Sequence, residues 1–327
     1  MTDSAARAEL LEDAGAAAAG EDFFRSRPFL DAEGVTHTLR IAHAGGELLA
    51  PLIVREIEGT DECDAISPYG YPGLVEGGRG GARGSLPAVA PPGTFALDPE
   101  SIDFSTTGLV SVFIRHRLDR VPLTRAGERN VVQIADPSLP AKTRGSDRNQ
   151  INKNRRRGYE VRIVPGPATT SAERVGFLAA YEQTMRRAAA AARYFFDAAY
   201  FDRILESEQA WLALAHAPDG AVAAASIAVR SDGFLHYYLS GSADSFLRDS
   251  PMKNVVAALT ELAAALGLPL NLGGGIARGD RLEEFKRGFA NRELAWRTSE
   301  IVCDETAYER LSAGRSSSDF FPAYRAG

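Results

Sequence analysis

Two stretches of this chain share one pattern, and that repetition limits the fold more than any other feature. "LRIAHAGGELLAPLIV" begins at Leu39 and "LALAHAPDGAVAAASIAV" begins at Leu212, an offset of 173 residues before the turn and 174 after it. Each reads as a strand, an Ala-His-Ala, a Gly-containing turn and a second strand of small and β-branched residues, which is a hairpin signal. A module of roughly 150 residues that recurs once fits the usual domain size. The expected organisation is two related halves.

Around each hairpin, strands alternate with helices. In the first half, "LVSVFIRHRL" (109–118) and "NVVQIAD" (130–136) are strand candidates, and a basic helix stopped by Gly158 leads into the alternating strand "YEVRIV". The second half opens on Thr170 and Glu173 in capping-box register, ahead of a helix with Phe177, Tyr181 and Met185 on one face. The strand "GFLHYYLSG" follows the hairpin. Next comes a helix with Val255, Leu259, Leu262 and Leu266 at core spacing, closed by Gly267, and then the buried strand "LPLNLGGG". This order predicts a mixed α/β (α+β) architecture of two tandem halves, each a central mixed sheet flanked by helices. The expected division is a flexible N-terminus over 1–20, a first half over 21–165, a second half over 166–311 and a C-terminal tail over 312–327. That tail, "GRSSSDFFPAYRAG", is expected to dock through Phe320 and Phe321, and the Gly-rich stretch Glu76 to Gly93 reads as a mobile surface loop.

Hydrophobic content of 45% and charged content of 24% are those of a soluble globular protein. No stretch approaches the apolar length of a membrane span, and the first twenty residues lack the basic start and apolar run of a secretion signal, so a cytoplasmic location is expected. Two cysteines, Cys63 and Cys303, imply no disulfide framework, and no ligand spacing joins them to the five histidines in a metal site.

The net charge of −6 argues against a polyanionic partner until its distribution is considered. "KTRGSDRNQINKNRRR" (142–157) holds seven Lys or Arg against one Asp, a local excess of +6. A solvated helix face is the ordinary explanation of such a run. Here no acids are interleaved for i, i+4 pairing, and Arg144, Arg148, Ile151 and Arg155 share a helical face, so a phosphate-binding stripe stands equally as a reading.

A second cation stands out in "LEEFKRGFANRELAW" (282–296). With Asp280 as N-cap and Glu283 three residues on, Leu282, Phe285 and Phe289 fall at the spacing of a buried face. Lys286 lies beside that face, where a lysine ordinarily covers apolar surface with its stem and reaches water with its head.

In the order hairpin, strand, loop, helix, strand, the second half resembles the GNAT acyltransferase fold. There the loop before the central helix carries a glycine-rich pattern whose N–H groups hold the pyrophosphate of coenzyme A. The equivalent loop here, "SADSFLRDSPMKNV" (242–255), contains no glycine, and Pro251 removes a donor at the expected first helical position; Arg248 and Lys253 are its phosphate-binding candidates.

Taken together, "SPYGYPG" (67–73), the basic helix running into "RRRGYEV", "LNLGGG" followed by Phe-Lys-x-x-Phe at 285–289, and Trp296 resemble the FemABX family. Its members are aminoacyl-tRNA-dependent transferases built from two GNAT-like halves. The likeness spans most of Phe29 to Leu311 and implies attack of an amine on the ester of an acylated tRNA, giving an amide. Such an ester needs alignment and oxyanion stabilisation more than nucleophilic activation. The resemblance assigns the stabilising charge to Lys286, with Phe285 and Phe289 fixing its rotamer. It implies tRNA phosphates on Lys142, Arg144, Arg148, Lys153, Arg155, Arg156, Arg157, Arg248 and Lys253, and acceptor contacts from Ser67, Tyr69, Tyr71, Arg55 and Tyr238. No cofactor is expected beyond the acylated tRNA as co-substrate, and one chain suffices as a monomer.

No Ser-His-Asp or Cys-His arrangement can be assembled from the sequence, and His236 reads as a packed strand residue. The expected acceptor is a small amine of specialised metabolism, in keeping with an Ala/Gly/Arg-rich, high-GC bacterial composition; the alternative acceptor is a muramyl-peptide precursor of a peptidoglycan cross-bridge. Two further readings stand beside these, an acyl-CoA-dependent N-acyltransferase and a non-catalytic tRNA-binding protein.

Overall fold

Both repeated segments form antiparallel hairpins in the computed structural model, which describes residues 6–17, 22–77, 96–315 and 320–326. The second turn is the longer one: His43 pairs with Gly46 across two residues, whereas His216 pairs with Val222 across five, with a register shift between Ala215 and His216 besides. Most of the Gly-rich stretch, 78–93, lies outside the described residues.

Two compact units divide the chain. One comprises Met1–Gly20, Phe24–Arg129 and Trp296–Gly327; the other comprises Glu21–Phe23 and Asn130–Ala295. A boundary near 165 therefore does not match the contacts: the basic helix belongs to the second unit, and the chain returns to the first at Trp296. Chain order concealed this because the changes of unit at 129/130 and 295/296 fall within strands.

The first unit contains β1 (Ala6–Leu11), α1 (Arg27–Ala32), β2 (His37–His43), β3 (Gly46–Glu56), β4 (Cys63–Ile66), β5 (Val75–Glu76), β6 (Ile102–Asp103) and β7 (Leu109–Arg115). β1 pairs with β2 in antiparallel register, Arg7 opposite Ala42, so the N-terminal segment expected to be flexible includes an ordered strand. β4 and β7 are parallel while β2, β3 and β4 are antiparallel, a mixed sheet whose core includes Leu39, Ile41, Leu52, Val112 and Ile114.

β8 (Gly127–Ala135) leads into the second unit, which continues with α2 (Gly145–Arg156), β9 (Glu160–Pro165), α3 (Ser171–Arg187), α4 (Ala198–Leu205), β10 (Ala210–His216), β11 (Val222–Ser231), β12 (Phe234–Ser242), α5 (Met252–Ala265), β13 (Leu270–Gly273) and α6 (Arg281–Arg287). Its strands run in the order β8-β13-β12-β11-β10-β9, with β12 and β13 parallel and the other pairs antiparallel. The capping box forms at α3, where Thr170 Oγ1 accepts the Glu173 N–H and Glu173 accepts the Thr170 N–H. Small residues bring helices close to this sheet. A Cβ on Gly241 would lie 2.4 Å from the Ala180 carbonyl oxygen, so α3 packs backbone to backbone on β12. α5 buries Val255, Val256, Leu259 and Ala263, and Leu266 at its end is 39% exposed, so the core face turns away from the expected last leucine.

β14 (Arg292–Val302) and α7 (Glu305–Ser312) complete the chain, β14 pairing with β7 from Thr298 to Val302. The tail docks: the Phe321 ring stacks on Tyr308 at 5.9 Å, and Tyr324 and Arg325 both hydrogen-bond the fully buried Asp64. Phe320 is 45% exposed. Among the described residues, no helix is long and apolar enough to cross a membrane, and no group of His, Cys, Asp or Glu could hold a metal ion.

Candidate active site

α6 begins where Asp280 accepts the Glu283 N–H at 2.8 Å, as the sequence predicts. The orientation of the helix differs from that expectation. Leu282 is exposed, whereas Glu283 and Lys286 are buried, Lys286 at 8% exposure. Local bonding sets this rotation: Glu283 accepts the Gly279 N–H at 2.7 Å and pairs with Arg287, which draws the Glu283/Lys286 side inward. Phe285 and Phe289 meet edge to face at 5.6 Å on the same core cluster.

Lys286 Nζ donates to the Gly274 carbonyl at 2.6 Å. An ammonium has three N–H groups, and no second acceptor for Nζ is found among the described residues. Burial disfavours the cation and brings its pKa down to about 8, with Asp280 pulling weakly the other way. The result is a desolvated ammonium with donors to spare, which is suited to stabilising an oxyanion.

The turn that receives this lysine is held from behind. His236 Nε2 lies 3.2 Å from the Ser231 carbonyl, an acceptor, so this nitrogen carries the hydrogen; Nδ1 then accepts from Asn271 Nδ2 at 3.0 Å. Asn271 Oδ1 in turn accepts the Gly273 N–H at 2.8 Å. Gly273 has φ +76°, and a Cβ there would lie 3.1 Å from Lys286 Nζ. His236 is thus a packed strand residue, as its sequence setting suggested, but one whose tautomer orders the glycine turn. Asn271, a polar residue in a buried strand ahead of three glycines, was the overlooked signal. Replacing Asn271 by leucine strips partners from the Gly273 N–H and the His236 ring, and is expected to cost about 1–3 kcal/mol in urea denaturation.

The basic helix meets carboxylates from elsewhere in its unit, which the sequence alone could not reveal. Lys253 pairs at 3.0 Å with buried Asp147, Arg157 pairs with Asp249, Arg155 lies 3.4 Å from Glu261, and Arg144 lies 3.7 Å from Glu284. Buried Asn154 bonds the Asp249 carbonyl and Asn254 at 2.8 Å each, fastening α2 to the start of α5. Ile151 faces the core, so the Arg144, Arg148, Arg155 stripe expected to share its face flanks buried surface instead. Exposed Lys142, Arg148, Lys153, Arg156 and Arg248 have no carboxylate within 4 Å among the described residues.

The loop ahead of α5 has Ser250 at φ +48° and Pro251 at the N-cap rather than inside the helix, with no side-chain cap. The Lys253 and Asn254 N–H groups are bonded to Ser250 and Pro251 carbonyls, and the Asp249 carboxylate accepts from Tyr159 and Arg157. A carboxylate and engaged N–H groups do not fit the pyrophosphate of coenzyme A.

In the first unit, Ser67 is buried, its hydroxyl donating to the Phe113 carbonyl at 3.2 Å and accepting from the Arg115 N–H at 3.0 Å. Arg55 donates to Asp64 at 2.8 Å, a partner that supports the fold. The Tyr71 ring lies 5.6 Å from both Phe24 and Trp296, and the Tyr69 N–H donates to Glu33 at 2.7 Å while 36% of Tyr69 stays exposed. Tyr238, in the second unit, shares a 3.2 Å hydroxyl contact with Tyr200. The first unit also holds a Ser–His pair invisible in the sequence, His116 Nε2 to Ser299 Oγ at 2.7 Å; both residues are buried, and Nδ1 has no partner among the described residues.

A family model described as "Acetyltransferase (GNAT) domain" matches residues 141–287, from just ahead of the basic helix to the residue after Lys286. A solved structure of FemX aligns over 91% of this chain and 97% of its own, at 10% identity and a TM-score of 0.59. The chain has a FemX-like GNAT fold. The structure of L-PGS from Bacillus licheniformis aligns over 82% of this chain and 85% of its own, at 12% identity and a TM-score of 0.52. No curated protein sequence gave a match. In this fold Lys286 sits on α6, which follows β13 and its glycine turn.

Proposed function

We propose that this protein is an acyltransferase that moves an acyl group from the 3′ end of a tRNA to an amine. The observation that carries this reading is the buried Lys286 ammonium, held by one bond to Gly274 and with N–H groups left over. The amine nitrogen attacks the ester carbonyl carbon, and the carbonyl oxygen takes up negative charge beside Nζ. That attack forms the C–N bond; collapse of the intermediate re-forms the carbonyl and breaks the bond to the ribose oxygen, which receives the proton given up by the amine. An activated ester leaves little else for a side chain to do.

The FemX-like fold supports an acyltransferase, and the engaged N–H groups before α5 favour a donor other than coenzyme A. The acceptor we favour is a small amine, with the amine of a muramyl-peptide precursor as the other reading. A pool of charged tRNAs with both acceptor types, run beside acetyl-CoA as donor, tests the proposal. Transfer of label from charged tRNA into an amide supports it, and transfer from acetyl-CoA alone overturns it.

Contacts to tRNA phosphates by the unpaired cations predict a further result. Arg156→Gln should reduce the slope of log affinity against log salt by about 0.9, the loss of one phosphate contact. An affinity that is flat in salt would remove α2 from the interface.

A further inference from the structure

We propose that the loop 276–282 beside Lys286 is a lip for the unpaired 3′ end of the RNA donor, with Arg278 and Arg281 on its phosphates and Ile276 against a base. This rests on the donor reading above and assigns residues that the basic-helix assignment left out.

Ile276 is 86% exposed and Leu282 is 40% exposed, two large apolar side chains in solvent within seven residues. The backbone presenting them is fastened. Asp280 Oδ2 accepts the N–H groups of Ile276 at 2.6 Å and Ala277 at 3.0 Å, and Glu283 accepts the Gly279 N–H. Ile276 is therefore displayed by a bonded turn.

Charge on the lip is one-sided for the same reason. Asp280 spends its carboxylate on backbone N–H groups, Glu283 is buried against Gly279 and Arg287, and Glu284 faces Arg144. Arg278 and Arg281 are exposed and have no carboxylate within 4 Å among the described residues. The acids of this segment are committed inward while its cations remain outside, a local anion-binding surface on a chain of net charge −6.

Guanidinium groups beside an apolar wedge match a single-stranded nucleic acid, whose phosphates take the charge and whose unstacked bases take the apolar face. Position favours that occupant over an acidic peptide. The same turn carries the Gly274 carbonyl that binds Lys286, so an ester placed at Nζ must bring its preceding nucleotides across the adjoining surface.

The test uses the full chain and two 5′-fluorescein RNA hairpins, one ending in four unpaired 3′ nucleotides and one blunt, read by anisotropy over a salt series. Wild type should bind the tailed hairpin more tightly. Arg278→Gln with Arg281→Gln should abolish that preference and lower the salt slope by about 1.4, two single-strand phosphate contacts, while leaving blunt binding unchanged. Ile276→Ser should weaken the preference at constant slope. If wild type prefers the tail and all these variants keep that preference, the lip is overturned and the donor reading stands. If wild type binds neither hairpin, the donor reading fails and takes the lip with it. Displacement of the tail by an acidic peptide of equal charge at equal concentration would overturn the base contact and leave a site for charge alone.

Discussion

Lys286→Met should lower acyl transfer by about 10² to 10³ and at the same time make the protein more stable, by about 2 kcal/mol at pH 7. The two effects have one cause. Burial brings the ammonium's pKa from 10.5 to about 8, so the folded state carries the cation at a cost that methionine does not bear. Part of the gain is offset because the Gly274 carbonyl loses its 2.6 Å donor. Between pH 8 and 10.5 the unfolded lysine keeps its proton and the folded one releases it, so wild-type stability rises with pH across that window and the advantage of the variant closes. The proposed role of Lys286 needs the cation, so wild-type transfer should fall as pH rises through about 8. Melting curves and a pH–rate profile check both limbs; a methionine variant that is fully active, or less stable than wild type at pH 7, contradicts the assignment.

Acid should weaken each unit through one buried histidine. His116 and His236 are both held near pKa 4, in each case chiefly by desolvation; Arg297 lowers His116 further, while the bond to Ser231 and nearby Asp232 pull His236 partly back. Unfolded histidine takes its proton near 6.5, so between pH 6.5 and 4 the unfolded state binds more protons and stability falls as pH falls. The slope is about 1.4 kcal/mol per pH unit for each histidine, about 3 kcal/mol per unit of structure across the window, a large part of the stability of an ordinary domain. Carboxylates add their own loss mainly below about pH 5. Denaturant melts from pH 7 to 4.5 should show the decline, and His236→Gln should flatten it for the second unit. A melting profile unchanged over that range would mean that neither ring is buried as described.

The repeated hairpins, the Thr170/Glu173 capping box, the Asp280 cap and the helix stops at Gly158 and Gly267 were all legible in the sequence, because each depends on residues a few positions apart. Lys286 and its flanking phenylalanines were legible as a motif. What Lys286 touches was not: its partner is a carbonyl twelve positions away, aligned through Asn271 and a histidine on a neighbouring strand. The basic helix shows the same limit. Its charge run holds a single Asp in sequence, yet Asp249, Glu261 and Glu284 reach it from other elements and neutralise part of it.

Sequence by itself therefore determined the kind of elements, their order and the motif behind the proposed reaction, since periodicity, caps and glycine stops act over one or two helical turns. Tertiary structure decided which cations stay unpaired, how far Lys286 is desolvated, that Ser67 and Arg55 are engaged within the fold, and where the chain divides. Those depend on burial and on acceptors brought in from distant positions, and neither the dielectric around a charge nor its nearest partner is written in its neighbours along the chain.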